Sequence, residues 1–204
     1  MLRFTRPTVE QIRAYLDAQR GQPFSYREVG ATREAPPTGY DFDQHRVLLG
    51  FGWERFCEAR SALQHWAMFP ATMTRLYWPD APLEVGVTVA VLFRAGPIWS
   101  LNPARIVYVV DETNVQEVRY GFAYGTLPDH VEQGEERFLL HWDRVDNRVW
   151  YEIAAFSRPQ HYLAKWLYVY MRCEQARFRK LSGLAMQRAM RGKFVEPLRT
   201  NPQR

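Results

Sequence analysis

Hydrophobic and polar positions change period several times along the chain, and each change marks an element. Val9, Ile12, Tyr15 and Leu16 recur at helical spacing behind Thr8 and Gln11, and Gly21 stops them. A Thr with Gln three residues later is a capping-box signature, so a short N-terminal helix is predicted over about 8–20. The stretch from Pro23 to Tyr40 is rich in Pro and Gly with little periodicity and reads as a connector with one short strand around Phe24–Val29. His45, Val47 and Leu49 then alternate with Gln44, Arg46 and Leu48 up to Gly50, which is a strand pattern. Trp53, Phe56, Cys57, Arg60, Leu63 and Ala67 fall three and four apart and predict a helix that ends before Pro70.

Period-two alternation governs the middle of the chain. Val85, Val87, Val89, Val91 and Phe93 are expected on one face of a strand, and Ile106, Tyr108 and Val110 on one face of the next, before turn chemistry at Asp111–Asn114. Tyr120, Phe122 and Tyr124 alternate with Gly121, Ala123 and Gly125; Glu136, Phe138, Leu140 and Trp142 follow, then Trp150–Ser157 beyond an Asp146-Asn147 turn. From Gln160 to about Arg191 no proline interrupts a helical pattern, and at ~1.5 Å per residue that helix would run more than ~40 Å. Its first half (HYLAKWLYVYM) is apolar nearly all round and is expected to be buried on more than one side. The order predicts an α+β fold: a curved antiparallel sheet of about six to seven strands gripping one long C-terminal helix, with a short N-terminal helix. The helix-grip arrangement leaves a cavity wherever facing side chains do not fill the space between helix and sheet.

Composition sharpens this picture at one point. Of the 204 residues, 15% are aromatic, a departure from average composition that supplies large, stiff apolar area. Tyr108, Phe122, Tyr124, Trp142, Tyr151, Trp166 and Tyr170, with Glu136, are therefore the expected lining of a pocket for a small, largely apolar ligand. The net charge of +5 suits an anionic partner without requiring one. The basic residues 172, 177, 179, 180, 188 and 191 do not share one helix face, which disfavours nucleic acid and leaves recruitment of an acidic partner as a weaker alternative. No apolar run reaches membrane-span length and no signal peptide is evident at the start, so a cytoplasmic protein is expected. Cys57 and Cys173 form no C-x-x-C pair and read as buried reduced thiols. A homodimer is left open.

Three catalytic signatures fail on their missing parts. Gly50–Arg55 begins like a dinucleotide fingerprint, but Arg55 replaces the third glycine and antiparallel strands follow. His130-Val131-Glu132 has the letters of a zinc-deaminase H-x-E without its P-C-x-x-C partner. No G-x-S-x-G elbow occurs. No metal and no cofactor are expected. The densest polar constellation is Tyr124–Phe138, where alternation puts Glu136 on the face of Phe138, Leu140 and Trp142. If that face looks into the cavity, Glu136 is a desolvated acid or a hydrogen-bond acceptor, and the candidate catalytic set is Glu136 with His130 or Tyr124 for cyclase, dehydratase or hydrolase chemistry. The other reading of Glu136 is an ion pair with Arg137, Arg105 or Arg158. Gly121, Ala123 and Gly125 leave the opposite face of their strand bare, and close approach of the long helix is the expected reason.

The run GYDFDQHRVLLGFGWERFCEARSALQHWAMFP, then VGVTVAVLF, RIVYVVDE, YGFAYGTLPDHVEQGEERFLLHWD, VWYEIAAFSRP and the closing helix closely resembles a bacterial and plant family, the domain of unknown function nineteen-ninety. The resemblance covers about residues 8–191, with Gly121–Phe138 its most specific part. That family is similar in pattern to the Bet v 1 and START-like superfamily, whose members hold lipids, steroids or polyketides, and this implies the same architecture with no catalytic residue to carry over. The resulting organisation is an N-terminal helix and connector over 1–39, a helix-grip domain over 40–192 and a tail over 193–204.

Overall fold

The computed structural model describes residues 2–95, 98–160 and 168–191. Its elements are β1 (Leu2–Arg3), α1 (Val9–Gln19), a 3-10 turn (Ala31–Arg33), β2 (Asp41–Phe51), α2 (Trp53–Gln64), β3 (Thr74–Tyr77), β4 (Thr88–Ala95), β5 (Ile98–Thr113), β6 (Glu117–Thr126), β7 (Glu132–Asp143), β8 (Arg148–Pro159) and a long helix, α3 (Tyr168–Arg191). Seven strands form one sheet in the order β2-β8-β7-β6-β5-β4-β3, and β1 adds to β5. Every pairing is antiparallel. The hairpins are closed by short turns: Asn114 Oδ1 accepts from the amides of Gln116 and Glu117 at 2.8 and 2.9 Å, and Asn147 takes a left-handed φ of 62°.

Alternation sorts the strand side chains onto two faces. Val118, Tyr120, Phe122 and Tyr124 point to the inner face, where they join a core with Phe56, Ala59 and Leu63 of α2 and Met186 of α3. The buried positions of α2 recur three and four apart, which turns one stripe of the helix to the sheet. Gly52 caps α2 with a φ of 90°, a backbone state that glycine adopts freely and that sets the tight strand-to-helix turn. On the outer face, Ile12 and Leu16 of α1 pack with Tyr77, Ala90, Leu92 and Leu101. The capping box of α1 is present, with Thr8 Oγ1 accepting from the Gln11 amide and Gln11 Oε1 from the Thr8 amide.

Several expectations are corrected. No strand forms over 24–29; the connector crosses the outer face as bends and is tied by side chains, because Tyr26 OH donates to Glu135 Oε2 at 2.6 Å. Glu135 also accepts from the Gly30 amide at 2.7 Å, the Thr32 amide at 3.0 Å and the Thr32 hydroxyl, so this fully enclosed carboxylate spends both oxygens on the connector. Gly125 is bare for the same connector and not for the helix: a Cβ there would lie 2.1 Å from Tyr26 Oη. Ile106 and Tyr108 do not share a face, since a register shift between them inserts Val107 and turns Tyr108 and Val110 outward to pack with Ala123 and Leu139. Val85 lies in the turn before β4 and is exposed.

Gln160 is irregular, its amide donating to the Val131 carbonyl at 3.2 Å, while the rest of the expected helix start over 161–167, with Trp166, and the tail over 193–204 lie outside the described residues. Of the apolar helix start that is described, Tyr168, Val169 and Tyr170 are exposed and not enclosed. Cys57 and Cys173 are both unpaired and exposed, not buried. Among the described residues no helix is long and apolar enough to cross a membrane.

Candidate functional site

A cavity of about 340 Å³ lies between the inner face and the first half of α3. Its apolar wall is built by Phe69 and Met73 from the segment after α2, Val91 and Phe93 of β4, and Met171 and Phe178 of α3. The strand members are there because they occupy inner-face positions of their strands. Phe69 marks the inner limit, with ring centroids 6.4, 6.0 and 5.8 Å from those of Tyr124, Phe138 and Phe178.

Polar groups gather on the wall made by β6, β7 and β8. Tyr124 and Glu136 are cross-strand partners, and the Tyr124 hydroxyl donates to Glu136 Oε2 at 2.6 Å. Burial is the largest influence on this carboxyl and carries it up to about 7, against the lowering effect of the Tyr124 hydrogen bond and of Arg179 nearby. Burial and then the Glu136 charge hold the Tyr124 phenol well above its ordinary value, so it stays a donor. Four residues back along β7, Glu132 Oε2 accepts from Gln175 Nε2 at 2.5 Å, and Gln175 also reaches Ser157 Oγ at 3.1 Å. Burial raises Glu132 too. Asp43 of β2 receives Arg172 and Arg179 of α3, the latter at 2.9 Å, and so clips the helix to the sheet.

His130 also lines the cavity. Its Nδ1 accepts from the Glu132 amide at 3.0 Å, which assigns the proton of the neutral ring to Nε2. Burial pulls its pKa down to about 3, so the ring is neutral across physiological pH. The hydrogen bond places it at the level of Glu132, four residues from Glu136 and thus about 13 Å along the strand at the usual rise.

The expected lining divides in two. Tyr124, Glu136, His130 and Tyr170 are brought to the cavity. Phe122 and Tyr151 lie on the same face but are wholly enclosed in the core, Phe122 edge-on to Trp66 and Tyr151 bonded through its hydroxyl to Ser182 at 2.8 Å. Trp142 packs on Trp53 and Phe56 beside that core. Tyr108 is on the outer face, its hydroxyl paired with Thr32 and its ring under Arg33. Sequence reasoning missed Phe69, Met73, Asp43 and the Gln175-Glu132 bridge. Phe69 and Met73 sit in a segment without periodicity, whereas Asp43 belongs to the alternation His45-Val47 extended one step back.

His45, His130 and His141 do not converge: His45 is on the inner face of β2, His130 in the loop before β7, and His141 outside, between Arg46 at 3.0 Å and Glu117 at 2.6 Å. Glu136 makes no ion pair with Arg137, Arg105 or Arg158; Arg137 pairs with Glu152 at 2.6 Å and Arg105 binds backbone carbonyls of Gln19, Arg20 and Gln22. Three members of the basic helix set are likewise engaged, Arg172 and Arg179 with Asp43 and Arg177 with Glu174.

The family model described as a domain of unknown function (DUF1990) matches residues 25–185. A UPF0548 protein of Dictyostelium discoideum is 33% identical over 195 residues, covering 87% of this chain and 90% of that one. Another from Deinococcus radiodurans is 39% identical over 166 residues, covering 74% and 80%. Among solved structures, human STARD10 is similar with a TM-score of 0.48 at 10% identity, covering 91% of this chain and 80% of that one. A conserved protein from Geobacillus kaustophilus gives 0.44 at 11%, covering 74% and 95%. Neither structural likeness bears on what this chain binds. The chain belongs to the DUF1990 family.

Proposed function

We propose that the protein binds a small, largely apolar ligand in the cavity between the sheet and α3. The observation that carries this is the cavity itself, about 340 Å³ and walled by Phe69, Met73, Val91, Phe93 and Phe178, a volume within the range of small-molecule sites. Two unpaired, exposed cysteines suit a reducing compartment, and the cytoplasm is the proposed location. The test is a thermal-shift panel of isoprenoid, fatty alcohol and aromatic polyketide probes on the intact chain and on Ala155→Trp. Ala155 lines the cavity directly opposite Glu136 in the β7–β8 pairing, so an indole there occupies the ligand's space. Probes that raise the melting temperature of the natural chain and not of Ala155→Trp support the reading. Equal responses, or none, refute it.

A second reading is favoured by one observation of its own. Glu136 is a carboxyl that exchanges its proton near neutrality, in an apolar cavity and beside the Tyr124 hydroxyl. That is the arrangement of a general acid or base. Chemical change of a bound probe, read by mass spectrometry and lost in Glu136→Gln, would support an enzyme; recovery of every bound probe unchanged would refute it.

A further inference from the structure

Glu136 has an open end. Its Oε2 is taken by Tyr124, and among the described residues Oε1 has no hydrogen-bond partner, although the side chain lies on the cavity wall. The other carboxyls around the cavity are engaged: Asp43 by two arginines, Glu132 by Gln175, and Glu174 by Arg177 at 3.6 Å. The charged residues of the lining are Asp43, Glu132, Glu135, Glu136 and Glu174, with the Glu135 carboxylate spent on the connector, against one cation, Arg179, whose Nη2 is given to Asp43. His130 contributes a neutral ring. From every packed element, then, the wall facing Glu136 offers acceptors or neutral donors, and no side chain supplies the donor that Oε1 lacks.

We propose that the cavity selects a ligand whose polar end donates hydrogen bonds, an alcohol or an amine on an apolar body, with Glu136 as its anchor, and that it rejects carboxylates. The inference rests on the binding reading above and adds the chemistry of the head group. A hydroxyl or ammonium placed at Oε1 completes that oxygen, and an ammonium also gains the charge. A carboxylate in the same place sets two anions together in an apolar surrounding, with Glu132 on the same wall, and to reach Arg179 it must displace Asp43.

The experiment is calorimetric titration of the intact chain with 1-decanol, decylamine and decanoate, below their micellar concentrations and at pH 8, where Glu136 is mostly ionised. Decylamine is expected to bind at least about tenfold more tightly than decanoate, the scale of one charge-assisted hydrogen bond, with 1-decanol between them. Glu136→Gln, which keeps the shape and an acceptor for Tyr124, should bring the amine-to-carboxylate ratio to within about threefold of unity. Tyr124→Phe keeps the carboxyl but removes the hydrogen bond that favours its charged form, and should lower the ratio by a smaller factor. Binding of decanoate as tight as or tighter than decylamine, or an unchanged ratio in Glu136→Gln, overturns the head-group selection and leaves the cavity reading standing. Failure of all three probes to bind overturns both.

Discussion

The inner face of the sheet has two halves that differ in what lies opposite, although the same alternation built both. Under α2 and the second half of α3, Phe122, Leu140, Tyr151 and Ile153 meet Phe56, Leu63, Trp66 and Met186, and all eight are buried. Under the first half of α3, Tyr124, Glu136 and Ala155 face the cavity, and the helix is tied to the sheet by polar clips from Arg172, Gln175 and Arg179. A strand pattern thus states which residues point inward. Whether they become core or cavity wall is decided by the covering elements.

Truncation should separate the halves most strongly. Phe122→Ala leaves a void in a closed core and is expected to destabilise by about 3–5 kcal/mol in urea unfolding. Met73→Ala, at a wall that already faces a void, should cost well under half as much. Equal losses would mean that the hollow half is filled.

The outer face gives a comparison at neighbouring residues. Glu135 points outward and is saturated by the connector, whereas Glu136 points inward and is not. Gly125→Val drives a side chain into Tyr26 and should cost about 2–3 kcal/mol, with Tyr26→Phe, which only removes the donor to Glu135, costing about 1–2 kcal/mol. An unaffected melting temperature in both would show that the connector does not hold this face.

Protonation supplies the next contrast. The folded chain keeps the Glu136 proton to about pH 7, while the unfolded carboxyl releases it near 4.5, so between these values the native state binds more protons. The stability this contributes is full below 4.5 and is lost as pH rises through 7; Glu136→Gln should flatten that fall, by up to about 3 kcal/mol. His130 acts with the opposite sign. Its folded pKa is pulled from 6.5 to about 3, so its contribution is present above 6.5 and is lost as pH falls toward 3. Denaturation midpoints measured from pH 4 to 8 on Glu136→Gln and His130→Asn should show the two slopes separately.

Much of this was legible in the chain because it depends on local pattern. The capping box at Thr8, the strand-helix turn at Gly52 and the inward placement of Tyr124 and Glu136 follow from period and turn chemistry. Tyr108 was misplaced because a single inserted residue, Val107, reverses every later position on β5, and nothing in VYVVDE announces a bulge. Alternation puts Phe122 and Tyr151 on the inner face but does not encode the Trp66 and Ser182 that lie across from them. Phe69 and Asp43 were missed for a related reason: their roles come from tertiary contacts with Phe178 and Arg179.

The claim that one half is hollow is tested most directly by soaking crystals of the intact chain in xenon under pressure. A dry apolar cavity of about 150 Å³ or more takes up the atom without any specific chemistry. The account predicts a xenon peak among Phe69, Met73, Val91 and Phe178 and none among Phe56, Trp66, Phe122 and Tyr151. Side chains filling the first region, or xenon bound in the second, would contradict it.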